Sequence, residues 1–571
     1  MKRIIPHIPN ITAVAFVQLA VVVVFVSALL LTGCSENELP GNENTDTNRT
    51  TFTIEVSDGG YAPAAGEKPD TRATENDYTT QFTAGDKIGV FAVKNNEIVD
   101  GVNNLCLVAT ADGSNLVWKT EDGKTPLNIS DATYYAYYPW QPDEKITDKV
   151  YPATTKVTTF FYDVIKDWIP STNQGTYIDY TSFDLMIASG TPSDKSLSFS
   201  MQHKMALVVI DLPKTKYTLT DINDNPLVDA NGYQRYYTAD GAPDTKFNGF
   251  TPYRMSDGTY RYLINPAAPE KLSGSYTNAT SATAEWEFEA SVTAGQYGKY
   301  AIDSGTIIEK THQLQAGDFF MKDGTLLGKD ATPTDAQQAA CIGIVYWVGD
   351  ITGDNYTLLD SKFPDGTHGL VVSLWDMPGP DNGEIEMTWT YGGYDEYVND
   401  WLNGAMWTGG TSRPSDFISI QEDEQKENMQ GYANTIALKE YNTYVEGKSE
   451  EGYGPESNKR VKPVKGLDDF EEKHPAPSSS SGWYWPSVCE LQYVCWGQGN
   501  GQSTTGKDKI LDPQIQKVSG SEVLGRGNYW SSTEYSYYSS QAWCVYFPNG
   551  DVGYYGSKGS SPCRVRPLLA F

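Results

Sequence analysis

Residues 196–212 read SLSFSMQHKMALVVIDL. Leu197, Phe199 and Met201 alternate with Ser198, Ser200 and Gln202, the period of two that turns one face of a strand to a core and the other to water. The run from Met205 to Ile210 is apolar and β-branched, again strand-like. The same pattern recurs on both sides: TTFTIEVS (50–57), KIGVFAV (87–93), TYYAYYP (133–139), TYRYLINP (259–266) and ATAEWEFEASV (282–292), with Gly, Asp and Asn turns between. Short alternating segments with frequent turns predict β-sandwiches rather than βαβ units, and no long amphipathic helix is expected before residue 312.

The composition agrees with this class and narrows the function. A net charge of −30 on 571 residues argues against nucleic acid as a partner. After Gly317-Asp318 tryptophan becomes dense, and one passage changes period. In GWYWPSVCELQYVCWGQG, Ser487 precedes Glu490 by three, a capping-box pattern. Leu491, Val494, Cys495 and Gln498 then fall at helical spacing, with Leu491 and Cys495 toward the core. The stretch 421–480 is rich in Gly, Glu and Lys and reads as a loop.

At the amino end, Lys2 and Arg3 precede an apolar run from Ala13 to Leu31, broken by Gln18 and Ser27. A run of this length could span a bilayer as a helix. It closes on Leu31-Thr32-Gly33-Cys34, which resembles a bacterial lipobox, and the following Ser35-Glu36-Asn37-Glu38 resembles the surface-export signal of Bacteroidetes lipoproteins. The resemblance implies a signal peptide over 1–33 and lipidation at Cys34. The polar segment 34–49 is then a tether, and an outer-membrane lipoprotein exported to the cell surface touches the membrane through its lipid anchor only.

Two further resemblances divide the rest. TRAT (71–74), FTAGDKIGVFAV (82–93), AYYP (136–139), FDLMIASG (183–190), FSMQHKMALVVIDL (199–212) and HQLQAGDFFMKDG (312–324) together resemble the fimbrillin-like pilin family of Bacteroidetes. That family implies two consecutive transthyretin-like β-sandwiches, over 50–195 and 196–316. It also implies a cut after a basic residue, for which Arg72 followed by Ala73 is the candidate. The cut removes the first strand, and the groove left is filled by a strand donated from another pilin subunit. Farther along, DGTHGLVVSLWD (365–376), GWYWPSVCELQYV (482–494), NYWSSTEYS (528–536), AWCVYFPNGDV (542–552) and CRVRPLL (563–569) resemble a bacterial C-type-lectin-like domain related to the formylglycine-generating-enzyme fold. An α+β domain of this kind is expected over 317–571, making the chain mainly β with a carboxy-terminal α+β domain.

Ser531, Ser532 and Glu534 have no histidine near them in sequence and no GxSxG elbow, so no enzyme is predicted. His203, His312, His368 and His474 make no zinc pattern with the cysteines, and no cofactor or metal is expected. Gln141-Pro142-Asp143 and Phe547-Pro548-Asn549-Gly550-Asp551 read as turns rather than calcium triads. Trp530 and Trp543 are expected in the core. Trp496, Tyr535, Tyr537, Tyr538, Tyr554 and Tyr555 are the candidates for a metal-free surface that binds a glycan or a protein. Cys544 and Cys563, on two strand-like runs, are the favoured disulfide pair. In the family frame CRVRPLLAF is needed as a closing strand and is not available for donation. A pilus tip subunit with a lectin-like adhesive head is therefore the leading expectation. A permanently lipid-anchored surface glycan-binding protein is the alternative.

Overall fold

The computed structural model describes residues 53–64, 78–79, 81–112, 115–122, 129–193, 196–229, 232–351, 358–363, 366–381, 383–392, 398, 419–420, 429–498, 505–525, 527–535 and 538–571. The signal peptide, Cys34, the tether, Arg72, Ala73 and Tyr537 lie outside them.

An amino-terminal segment supplies β1 (Thr53–Asp58) and β2 (Ala62–Pro63). The first sheet adds β3 (Lys87–Lys94), β4 (Leu105–Asp112), β5 (Asn115–Lys119), β6 (Thr133–Tyr138), β7 (Met186–Pro192) and β8 (Ser196–His203). Their order is β1-β8-β7-β6-β3-β4-β5, with Glu97–Ile98 paired to β3. The alternation of β8 is realised: Leu197, Phe199 and Met201 point into a core with Ile88, Val90 and Trp118. Strand β8 therefore belongs to the first sheet, which corrects the division expected between 195 and 196. That division falls inside the β7–β8 antiparallel pair.

The second unit begins at β9 (Ala206–Asp211), which lies between β10 (Tyr260–Ile264), antiparallel to it, and β11 (Gln296–Ala301), parallel to it. Strand β2 adds at the far edge, parallel to β11. Two three-stranded sheets complete this unit: Tyr236–Ala239 with Thr215–Thr220 and Ile308–Gln313, and Lys246–Phe247 with Glu270–Thr277 and Thr283–Ala290. Between Gln313 and Phe319 strand ownership changes again, since Phe319–Met321 pairs with β12 (Cys341–Val348).

The last unit holds a five-stranded sheet built on β12 and β13 (Gly369–Ser373). Three helices follow: α1 (Gly431–Gly447), α2 (Lys462–Lys473) and α3 (Val488–Trp496). Then come β14 (Asn528–Tyr535), β15 (Gln541–Tyr546), β16 (Asp551–Ser557) and β17 (Leu568–Ala570). Helix α3 starts as its sequence requires. Ser487 accepts from the Glu490 amide and the Glu490 carboxylate accepts from the Ser487 amide at 2.7 Å. It stops at Gly497, whose φ of 80° ends the helix. Gln498 is thus outside the helix, where its amide group bonds both main-chain groups of Val348. Helices α1 and α2 correct the loop reading of 421–480.

The units share cores rather than merely touching. Phe91, Tyr135 and Tyr137 of the first pack in one cluster with Met205, Leu207 and Tyr297 of the second. Tyr217 and Tyr237 of the second pack in another with Phe320, Val371 and Phe571 of the third. Arg235 reinforces that junction by donating to the Thr367 carbonyl and pairing with Asp350.

Candidate functional site

Strand β1 occupies a slot. It pairs parallel to β8 from Thr53 opposite Ser196 to Asp58 opposite Met201, and β5, at the other end of the strand order, packs against it too. Ile54 is 3% exposed and Val56 half-buried, both set in the first core, while Glu55 faces out and accepts from Ser198 Oγ at 2.8 Å. The chain then turns at Gly60, whose φ is 71°, and crosses to the second unit. Tyr61 N donates to the Tyr78 carbonyl, and the amides of Ala62 and Ala64 donate to the carbonyls of Gly295 and Tyr297. One short segment thus closes an edge on each of two sheets.

A buried charge cluster fixes the crossing. His203 Nε2 lies 2.9 Å from Asp58 Oδ1, and its Nδ1 lies 2.8 Å from Asp184 Oδ1. The Tyr61 ring stacks on the imidazole with centroids 3.8 Å apart, and its hydroxyl donates to Asp184 at 2.6 Å. Burial alone would push the His203 pKa down, but Asp184 and then Asp58 outweigh it and raise it to about 9. The same environment pushes the Tyr61 hydroxyl well up, through burial first and Asp184 second. The sequence reading missed this cluster. Its one available signal was a histidine at the end of an inward-alternating strand, followed by Lys204.

The carboxy-terminal stretch is committed to its own sheet. Strand β17 pairs antiparallel to β13, and beyond it Phe571 N donates to Gly369 O while Phe571 O accepts from His368 N. The Phe571 ring is fully buried and meets Tyr237 edge-on at 5.0 Å.

The aromatic candidates divide. Trp530 and Trp543 are core, at 0% and 1% exposed. Tyr535 is buried at the end of β14, its ring edge-on to Trp543 at 4.9 Å, and Trp496 is buried on α3. Neither lies on an open loop, which corrects the reading of both as surface candidates. Tyr538 is 59% exposed. The side chains of Tyr554 and Tyr555, like Tyr537, are outside what the structure describes. The serine-rich stretch before them is a strand buried on both faces. Ser531 Oγ donates to Trp543 O, Ser532 Oγ to Pro486 O, and Thr533 Oγ1 accepts from Val488 N. Glu534, fully buried, accepts from Lys558 Nζ at 2.5 Å and from Val398 N at 2.9 Å. These groups are consumed in holding β14, which leaves none of them open to a substrate. Cys544 and Cys563 are neighbours, as their strands suggested, but both are free thiols. Their hydrogen bond pushes the Cys544 pKa down and the Cys563 pKa up.

A profile described as fimbrillin-like matches residues 71–240. A Bacteroides ovatus protein described as "Putative fimbrium tip subunit Fim1C" is 30% identical over 534 residues, covering 88% of this chain and 90% of the relative. The chain belongs to the fimbrillin-like family. Among solved structures, a fimbrial protein from Bacteroides ovatus aligns with this fimbrillin at 24% identity, over 92% of this chain and 100% of its own, with a TM-score of 0.44. Family membership makes it a fimbrial protein of a cell-surface appendage. Among its described residues no helix is long and apolar enough to cross a membrane.

Proposed function

We propose that this fimbrillin is a fimbrium tip subunit: a strand-accepting pilin base that carries a lectin-like adhesive head. The observation that carries the reading is the asymmetry between the two strands at its ends. Strand β1 is laddered to β8, packs against β5 and sets Ile54 and Val56 into the first core, so it leaves an apolar slot when removed. Strand β17 is built into its own sheet and its own core. A cut between Arg72 and Ala73 removes both β1 and β2, so a donated strand has a slot to fill in the first unit. Leu568–Phe571 remains engaged at home. The description of the Bacteroides ovatus relative as a tip subunit supports the same reading. The head is assigned to 317–571, where the lectin-like motifs stand on α3, β14, β15 and β17. Its ligand is a glycan or protein surface approached through the exposed Tyr538 side.

The test is the amino-terminal sequence of the protein recovered in sheared fimbriae. A start at Ala73 supports the tip subunit. A chain that begins at a lipidated Cys34 and stays with the outer membrane overturns it in favour of the second reading, a permanently anchored glycan-binding protein. One observation favours that second reading: the segment 53–64 is locked into the first two units by the Asp58–His203–Asp184 cluster.

A further inference from the structure

Where the second unit meets the third, a cavity of about 280 Å³ is lined by Arg254, Lys310 and Lys322 together with Asp244 and Asp323. Arg254 ends the edge strand beside β10, Lys310 lies in Ile308–Gln313, and Lys322 follows Phe319–Met321 in the third unit. In a chain carrying a net charge of −30, three cations around one hollow stand out.

The carboxylates do not neutralise them at contact. Asp244 accepts from Thr277 Oγ1 at 2.7 Å and from Gln337 Nε2 at 2.6 Å. Asp323 Oδ1 accepts from the amide and hydroxyl of Thr325, at 3.0 and 2.7 Å. Both therefore spend oxygens on neutral donors and reach Lys310 and Lys322 only through space. The Arg254 guanidinium faces Tyr260, yet its Nε and Nη2 are buried and make no hydrogen bond. Burial pushes the ammonium groups of Lys322 and Lys310 down from their ordinary value. Cations drawn out of water with no carboxylate at contact distance raise the free energy of the empty site, and an anion that enters at contact recovers it.

The shape narrows the anion. Nε and Nη2 form one edge of the guanidinium fork, the geometry that grips a carboxylate through two parallel hydrogen bonds. The walls add the buried Tyr260 ring, Phe247 and the hydroxyls of Thr245 and Thr251, which suit a small polyol ring. The volume sits just below the roughly 300–1,000 Å³ of pockets that hold drug-sized ligands, so it has room for a single ring. We propose that this cavity binds a hexuronic acid residue, its carboxylate on Arg254 and Lys322 and its ring against Tyr260. The site is separate from the aromatic residues of 496–555 and does not depend on whether the chain is cut at Arg72.

Calorimetric titration of the purified chain tests it, with D-glucuronate as the probe and D-glucose, acetate and inorganic phosphate as comparisons. Saturable binding of glucuronate is expected, with no binding of glucose and at least about tenfold weaker binding of acetate and phosphate. Arg254→Gln and Lys322→Gln should each weaken glucuronate by about tenfold or more while leaving Tm equal to or above that of the parent. If Arg254→Gln does not fold, Lys310→Gln joins Lys322→Gln as the pair of test variants. The proposal is overturned by an absence of saturable glucuronate binding or by binding that the folded variants leave intact. Phosphate binding as tightly as glucuronate, which would mark an adventitious anion only, overturns it as well.

Discussion

Removing the Asp58 carboxylate should loosen the amino-terminal segment without unfolding the rest of the molecule. A rise of the His203 pKa from 6.5 to about 9 corresponds to roughly 3 kcal/mol of preference for the charged imidazole in the folded state. Asp184 supplies the larger part of the pull and Asp58 the smaller. Because burial opposes the charge, the two carboxylates together pull by more than this net, so Asp58→Ala costs at least about 1–1.5 kcal/mol and stays below the about 3–5 kcal/mol typical when a buried ion loses its sole partner. Asp184 stays on the body of the first unit, so the loss falls on the hold over 53–64. Amide hydrogen exchange at pH 7 should show β1 and Tyr61–Ala64 exchanging about tenfold faster, with β3, β6 and α3 unchanged. Trypsin should reach Arg72 no more slowly than in the parent. The pH dependence has a definite sign. Because the folded pKa is raised, the contribution is complete below about pH 6.5 and is lost as pH climbs through about 9. The parent's exchange in 53–64, corrected for intrinsic rate, should therefore converge on that of the variant in mildly alkaline buffer. An unchanged exchange rate in 53–64, or an equal acceleration throughout Thr50–Phe571, would refute the local latch.

Other expectations concern the third unit. The fully buried Glu490 accepts from Ser487, Gly431 and Tyr484, and burial lifts its pKa to about 7. Its stabilising contribution is complete below about pH 4.5 and fades as pH rises through about 7. Glu490→Gln should thus gain on the parent by up to roughly 3 kcal/mol between pH 4.5 and 8; a stability gap independent of pH in urea titrations would contradict this. Gly556→Ala should lower stability by about 1–3 kcal/mol or more, because the added carbon falls 1.8 Å from the Trp530 ring. An unaltered Tm would show that β14 and β16 are not packed this closely. Phe571→Ala should cost about 3–5 kcal/mol in equilibrium unfolding. A near-neutral result would mean that the carboxy-terminal stretch is free for another role and would undercut the tip reading.

The sequence was most readable where one local interaction decides the structure. The start of α3 needs only Ser487 and Glu490, three residues apart; alternation alone marks β8, and a short apolar run marks β3. It was least readable where burial is achieved by polar groups. Helix α1 sets Asn434, Thr435 and Asn442 in the interior, each donating a hydrogen bond, to Ser532, Trp485 and Val461 in turn. Its apolar stripe is broken for that reason, and 421–480 read as a loop. The same cause hid β14, whose hydroxyls bond inward to main chain, so that Tyr535 looked like a residue on an open loop. The boundary after His203 was misplaced because only Lys204 and Met205 separate β8 from β9. No change of period announces that the chain is leaving one sheet for another. The latch was out of reach for a different reason, since Asp58, Asp184 and His203 come together only in the fold.

The fused cores have a mechanical corollary. Domains joined by linkers straighten under tension before any of them deforms, and the linker takes up the slack. Here the second and third units meet through Tyr217, Tyr237, Phe320 and Phe571 in one continuous interior. The first and second meet in the same manner through Phe91, Tyr135, Leu207 and Tyr297. A pull applied at one end therefore finds no compliant joint among the described residues of these three units. It is borne by buried aromatic packing and sheet ladders in series, and the assembly yields by rupture of a core rather than by extension of a hinge.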